Sequence, residues 1–131
     1  MEYPHTPVLV KEVVRYLVHT PEGIYVDGTA GSGGHSEAIL ERLAGRGRLV
    51  CLDRDPDAVN FCRGRLTPFH NGCVIRANFA DLDEVMDDLN LKKVDGVLLD
   101  LGMSSYQLET SALKAMTDRP AFLSLPAAFS A

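Results

Sequence analysis

Four apolar stretches of this chain each end on an acid or an amide, and a helix-like segment separates each from the next. The stretches are Ile24 to Asp27, Arg48 to Asp53, Cys73 to Ala77 followed by Asn78, and Val94 to Asp100. Strands alternating with helices predict an α/β fold, a doubly wound parallel sheet with right-handed crossovers. Ligands of such sheets bind beyond the carboxyl ends of the strands. Asp27, Asp53, Asn78 and Asp100 are therefore expected to converge on one crevice. Asp and Asn are also common wherever a strand turns into a loop. Four in register beside a glycine-rich loop favour the crevice.

That loop is Gly28-Thr29-Ala30-Gly31-Ser32-Gly33-Gly34, between the first strand and a helix that the pattern predicts over Ser36 to Leu43, ended by Gly45. Glycines there allow a backbone to approach an anionic or nucleotide ligand and supply φ values that most residues avoid. The dinucleotide fingerprint G-x-G-x-x-G fits only in part, because Ser36 stands where its third glycine would be. An acid, three residues, then Gly-x-Gly fits better: Asp27, Gly31 and Gly33. That variant resembles the first motif of S-adenosylmethionine-dependent methyltransferases. Asp53 follows the loop by about 20 residues, and a carboxylate there suits the two hydroxyls of a ribose. NAD and S-adenosylmethionine both carry that ribose, so Asp53 does not separate them. Phe79 either stacks on an adenine or belongs to the core.

The remaining segments read as structure. Thr6 and Pro7 suit the start of a helix whose apolar stripe is Val10, Val13, Val14 and Leu17. Asp55 and Pro56 suit the start of another, with Arg63 and Arg65 in its last turn, where cations favour the helix dipole. Asp81 is expected to cap a short acidic helix through Leu89. The 131 residues suit one domain, and a hydrophobic content of 46% is that of an ordinary globular protein. A balance of 13 Lys and Arg against 18 Asp and Glu, net −5, does not advertise a nucleic-acid surface. No apolar run reaches the ~20 residues of a membrane span, and the N-terminus has no signal-peptide core. Cys51, Cys62 and Cys73 form no C-x-x-C pair, so no zinc site or disulfide framework is expected. Cys51 and Cys73 read as buried thiols of a reducing cytoplasm.

Taken together, His5-Thr6-Pro7-Val8-Leu9, Asp27 to Ser36, Asp53-Arg54-Asp55-Pro56, Asn78-Phe79, and Asp100-Leu101-Gly102-Met103-Ser104-Ser105-Tyr106-Gln107-Leu108 occur in order. This combination resembles the N-terminal part of the bacterial 16S ribosomal RNA cytosine-N4 methyltransferases, the MraW/RsmH family. The resemblance covers residues 1–110. It implies a Rossmann-like class I methyltransferase fold, partial here at about four strands. It also implies an enzyme that transfers methyl from S-adenosylmethionine to the exocyclic amine of a cytidine in 16S ribosomal RNA. The implied partner is the small ribosomal subunit in the cytoplasm, with no metal and no membrane. Carried over by motif, the cofactor contacts are Gly33, Gly34, His35, Asp53, Phe79, Asp100 and Gln107. His35 either caps its helix or touches the cofactor carboxylate. Asp100 is the expected catalytic anchor for the amine, and Tyr106 is either a stacking surface for a flipped base or an ordinary surface aromatic.

Residues 111–131 do not resemble the family. The expected organisation is a cofactor-binding half-domain over 1–110 and a divergent tail over 111–131, the product of a truncated or frame-disrupted gene. Such a chain is expected not to methylate ribosomal RNA alone. Its fourth strand would keep a bare apolar edge unless the Phe122 to Phe129 stretch covers it. Two other functions remain: a nicotinamide-dependent oxidoreductase on the same half-fold, and a non-catalytic nucleoside-binding remnant. The misfit at Ser36 counts against the former.

Overall fold

A computed structural model describes residues 10–100 and 122–125. They form one five-stranded sheet in the order β3-β2-β1-β4-β5, with every pairing parallel. The elements run α1 (Val10–Leu17), β1 (Ile24–Asp27), α2 (Gly34–Leu43), β2 (Arg48–Asp53), α3 (Pro56–Arg65), β3 (Gly72–Arg76), a 3-10 turn (Phe79–Asp81), α4 (Leu82–Asp88), β4 (Gly96–Asp100) and β5 (Phe122–Leu125). The chain lays strands outward from β1 to β3, then returns to place β4 on the other side of β1. That reversal is the topological switch point at which doubly wound sheets hold their ligands.

Side chains of successive strand residues point to opposite faces, and both faces are covered. Tyr25, Leu49, Cys51 and Leu98 pack with Val13, Val14 and Leu17 of α1, with Ile39, Leu40 and Leu43 of α2, and with Cys62 of α3. Val26, Val50, Leu52, Val97 and Leu99 pack on the other face with Phe79 and with Leu82, Val85 and Met86 of α4. Each fully buried Leu contributes about 1.5–3 kcal/mol relative to exposure. The doubly wound parallel α/β architecture is the expected one.

Several details differ from the expectation, each for a local reason. The sheet has a fifth strand. Phe122–Leu125 pairs with β4 in the register Val97↔Phe122 to Asp100↔Leu125, so the far side of β4 is covered. Those four residues lie in the stretch expected as a divergent tail. α2 begins at Gly34 rather than Ser36, because Gly33 takes a left-handed conformation (φ 88°) and serves as its N-cap. Its C-cap is Ala44, also left-handed (φ 51°), followed by Gly45 at φ 81°. Asp81 makes no side-chain cap at α4. Asn78 does the capping instead, one turn earlier, accepting from the Ala80 N–H at 3.0 Å. Asp55 and Pro56 open α3 as expected, with the Asp55 carboxylate accepting from the Asp57 N–H at 2.9 Å. The Thr6–Pro7 start lies outside the described residues. The three cysteines are free thiols, Cys51 and Cys62 buried and Cys73 half-buried. No helix among the described residues is long and apolar enough to cross a membrane.

Candidate functional site

Strand register makes a notch at the carboxyl end of the sheet. Asp27, the last residue of β1, pairs with Cys51 of β2 and with Leu98 of β4. β2 and β4 both run two residues further, to Asp53 and Asp100. At ~3.3 Å per residue, β1 therefore stops roughly 6–7 Å short of its two neighbours. The glycine loop fills that notch and is stitched to both walls. The Gly28 N–H donates to the Leu98 carbonyl and the Ala30 N–H to the Leu52 carbonyl, each at 2.8 Å. A Cβ on Gly28 would run into Leu99 Cδ2 and lie 3.3 Å from Phe79 Cβ, so the loop passes close to the core there.

Asp27 is the buried post of the loop, 1% exposed. Its Oδ2 accepts from Ser36 Oγ at 2.7 Å and its Oδ1 from the Thr29 N–H at 3.3 Å. A buried carboxylate requires such donors. Ser36 is thus the reason the dinucleotide fingerprint fails here: its hydroxyl ties the first turn of α2 to the end of β1. The Cys51 thiol donates to Ser36 Oγ at 3.2 Å. Hydrogen bonding to Cys62, burial and the Asp27 carboxylate together push the Cys51 thiol well up from its ordinary value. Cys62 is pulled down, chiefly by the hydrogen bond from Cys51, against burial and the charges of Asp27 and Asp53.

Asp53 stands on the β2 wall, half-buried. Its Oδ2 accepts from the Gly31 N–H and its Oδ1 from the Asp55 N–H, both at 2.9 Å. The expected ribose carboxylate is therefore already bonded to the glycine loop on one side and to the start of α3 on the other. Each oxygen keeps a second lone pair, so the group can still accept from a diol.

The glycines divide by role. Gly31 (φ 54°) and Gly33 (φ 88°) both occupy conformations that favour glycine. A Cβ on Gly31 would meet nothing closer than the Thr29 carbonyl at 3.9 Å. A Cβ on Gly33 would lie 3.1 Å from Cys62 Sγ and 3.4 Å from Arg65 Cδ, against α3. A side chain at Gly33 would thus push on α3. At Gly34, a Cβ would find ordinary contacts with Ser32 Oγ and Arg65 Nη1, at 3.8 and 3.9 Å.

His35, in the first turn of α2, is 4% exposed and has no hydrogen-bond partner among the described residues. Buried polar groups are nearly always paired. This ring fits a site whose remaining acceptor or donor comes from a ligand. Phe79 begins the 3-10 turn after β3 and is 9% exposed. Its ring belongs mainly to the core on the α4 side. Asp100 closes β4 beside β5; its side chain, with Tyr106 and Gln107, lies outside the described residues.

Sequence reasoning missed a clamp on this loop. Arg65 of α3 donates through Nε and Nη2 to Glu37 Oε1 at 3.2 and 2.9 Å, and through Nη1 to the Ser32 carbonyl at 3.5 Å. Read from the sequence, Arg65 was only a cation suited to a helix end. The exposed i, i+4 logic that signals helix pairs gives no hint of a bond spanning two helices. No group of three or more His, Cys, Asp or Glu able to hold a metal occurs among the described residues.

Comparison with known proteins agrees with this geometry. Residues 2–113 match the MraW methylase family. The chain is 47% identical over 113 residues to ribosomal RNA small subunit methyltransferase H of Lachnospira eligens, covering 86% of this chain and 36% of that protein. It is 50% identical over 111 residues to the protein of the same name in Heliobacterium mobile, covering 83% and 36%. The chain thus spans about a third of the length of these curated relatives. Among solved structures, it resembles a precorrin-6y C5,15-methyltransferase of Geobacter metallireducens with a TM-score of 0.69 at 24% identity, covering 90% of this chain and 62% of that one. It also resembles a SAM-dependent O-methyltransferase of Thermotoga maritima with a TM-score of 0.60 at 14% identity, covering 76% and 36%. These likenesses to solved structures show a Rossmann-like fold.

Proposed function

Because this chain belongs to the MraW methylase family, we propose that it holds S-adenosylmethionine against the glycine loop at the carboxyl end of β1. In the whole protein, that site would serve methyl transfer to the N4 amine of a cytidine in 16S ribosomal RNA. The partner is the small ribosomal subunit and the setting the cytoplasm. The observation that carries the cofactor assignment is the orphaned, buried His35 beside a glycine loop anchored by Asp27 and Asp53. Bound there, S-adenosylmethionine supplies the methyl group on a sulfonium.

The residues of the chain do the rest. Asp53 uses its spare lone pairs to accept from ribose hydroxyls while its other bonds keep the glycine loop in place. Gly33, Gly34 and His35 bring the start of α2 to the cofactor, where the helix N-terminus favours a carboxylate. Phe79 offers the edge of a core ring to the adenine. Gln107 is proposed as a further contact from its place in the motif. Asp100 is proposed as the catalytic anchor from its register at the end of β4. A cytidine amine is a poor nucleophile because its lone pair is delocalised into the ring. A carboxylate accepting one of its N–H groups localises that pair, and positioning supplies most of the remaining rate. Residues 1–110 form the cofactor-binding unit in this reading, and β5 completes its edge.

Calorimetric titration with S-adenosylmethionine, S-adenosylhomocysteine and NAD tests the assignment. Binding of the first two and not of NAD is expected. Tighter binding of NAD would transfer the site to nicotinamide chemistry. In the full-length protein, labelled S-adenosylmethionine should mark a cytidine amine of small ribosomal subunits, and Asp100→Ala should abolish the mark.

A further inference from the structure

A cleft of about 370 Å³ opens at the amino ends of β2 and β3, the opposite edge of the sheet from the glycine loop. One wall is the turn from α2 into β2, residues 45–49, and the other is the approach to β3, residues 70–73. Arg46, Arg48, His70 and Asn71 line it, and no acidic residue does. The walls are fixed to each other. Asn71 Nδ2 donates to the Gly47 carbonyl at 3.0 Å, and the Leu49 N–H donates to the Asn71 carbonyl at 2.9 Å. Arg46 Nη1 is paired with Glu22 at 3.2 Å. Arg48 and His70 have no side-chain partner among the described residues. The Arg48 charge also reaches across the cleft to Cys73, where it opposes the upward push of burial on the thiol.

Two donors without a side-chain partner among the described residues, and a second arginine at the rim, suit an oxyanion with several acceptors. An arginine fork matches a phosphate in two places at once. The whole chain carries a net charge of −5, so any polyanion it meets must be held at local cationic points. Exposed cations hold a single free phosphate weakly, whereas a strand of linked phosphates gains from its other contacts on the same molecule.

Resting on the reading of this chain as part of an RNA methyltransferase, we propose that the cleft holds a backbone phosphate of the RNA substrate through Arg48 and His70, with Arg46 at its rim. It is a second contact point, remote from the methyl-transfer site, and it reads charge rather than sequence. Arg48 and His70 are positioning residues for RNA and do not touch the cofactor.

The test uses this chain, a short labelled single-stranded RNA and fluorescence anisotropy across a salt series. The double variant R48A/H70A should bind RNA about tenfold more weakly at low salt, with a salt slope shallower by about one. Its calorimetric affinity for S-adenosylmethionine should equal the parent's. Amide shifts of the parent chain on RNA addition, read by NMR, should fall in residues 45–49 and 70–73. Unchanged RNA affinity in R48A/H70A, or amide shifts confined to other residues, would overturn the proposal. So would shifts at the cleft with inorganic phosphate alone and none with RNA, which would make it a free-anion site. A parent chain that fails to bind S-adenosylmethionine, yet loses RNA affinity in R48A/H70A, would uphold the cleft and remove the cofactor reading.

Discussion

The two ends of the sheet are built from the same strands and differ in chemistry. At the carboxyl end, Asp27 accepts from Ser36 and Thr29, and Asp53 accepts from Gly31 and Asp55 with one lone pair left on each oxygen. At the amino end, Arg48 and His70 have no side-chain partner among the described residues, in a cleft whose walls are joined by the Asn71 amide. The acids hold the shape of the loop, and the arginine at the other end has no side-chain partner among the described residues. Helices contribute to the difference. α2 starts beside the glycine loop, where its dipole favours an anion, and ends at the cleft, where only side-chain cations can offset its negative end.

The largest change should come from cutting the part both ends share. Leu98 is fully buried on the α1–α2 face of β4. Leu98→Ala should lower stability by about 2–5 kcal/mol, the loss of transfer energy plus a cavity. Denaturant unfolding measures it. A small loss with an unchanged slope would mean that the core collapses around the gap and that the two ends are less tightly joined than the packing implies.

Asp27→Ala should separate the ends. It strands the buried Ser36 hydroxyl and frees the Thr29 N–H, for about 2–3 kcal/mol of stability. Binding of S-adenosylmethionine should fall with it, while the amides of residues 45–49 and 70–73 keep their NMR shifts. Movement at both ends together would show that the loop and the cleft are coupled.

Asp53→Ala should weaken S-adenosylmethionine binding by about 1–3 kcal/mol, through lost ribose contacts and a released Gly31 N–H. Asp53→Asn keeps one acceptor and should recover part of that loss. Equal affinity in the parent and both variants, by calorimetry, would remove Asp53 from the site and leave it a strut of the loop.

The smallest effect is expected at Arg46→Ala. Its pair with Glu22 joins side chains 63% and 64% exposed. Stability should change by no more than about 0.5 kcal/mol, since water and salt screen such a pair. A larger loss in thermal unfolding would mean that the Glu22 contact helps hold the turn against Gly47 rather than merely lining the cleft.

Much of the fold was legible because its signals are local. A β-branched run closed by an acid, or an Asp-Pro pair opening a helix, states its structure within a few residues. The positions of Asp53 and Asp100 on the rim were also legible, because strand order in a doubly wound sheet brings carboxyl ends together. What could not be read depends on pairs far apart in the chain. Gly31 meets Asp53 across 22 residues and Arg65 meets Glu37 across 28. Neither pair has a spacing that signals contact. Phe122–Leu125 has no alternation to mark it, because a strand's place is set by the partner beside it, here β4.

The first four strands in their chain order, the glycine loop and the acids that follow it rest on backbone preference and side-chain periodicity, and so are local properties of the chain. Only the tertiary structure decided how far each strand runs past its neighbour. That difference of two residues makes the notch that the glycine loop fills, and the packing of that loop gives Ser36 to Asp27 and buries His35 with no partner among the described residues. Depth and closeness arise where separate segments meet, and no local preference encodes them.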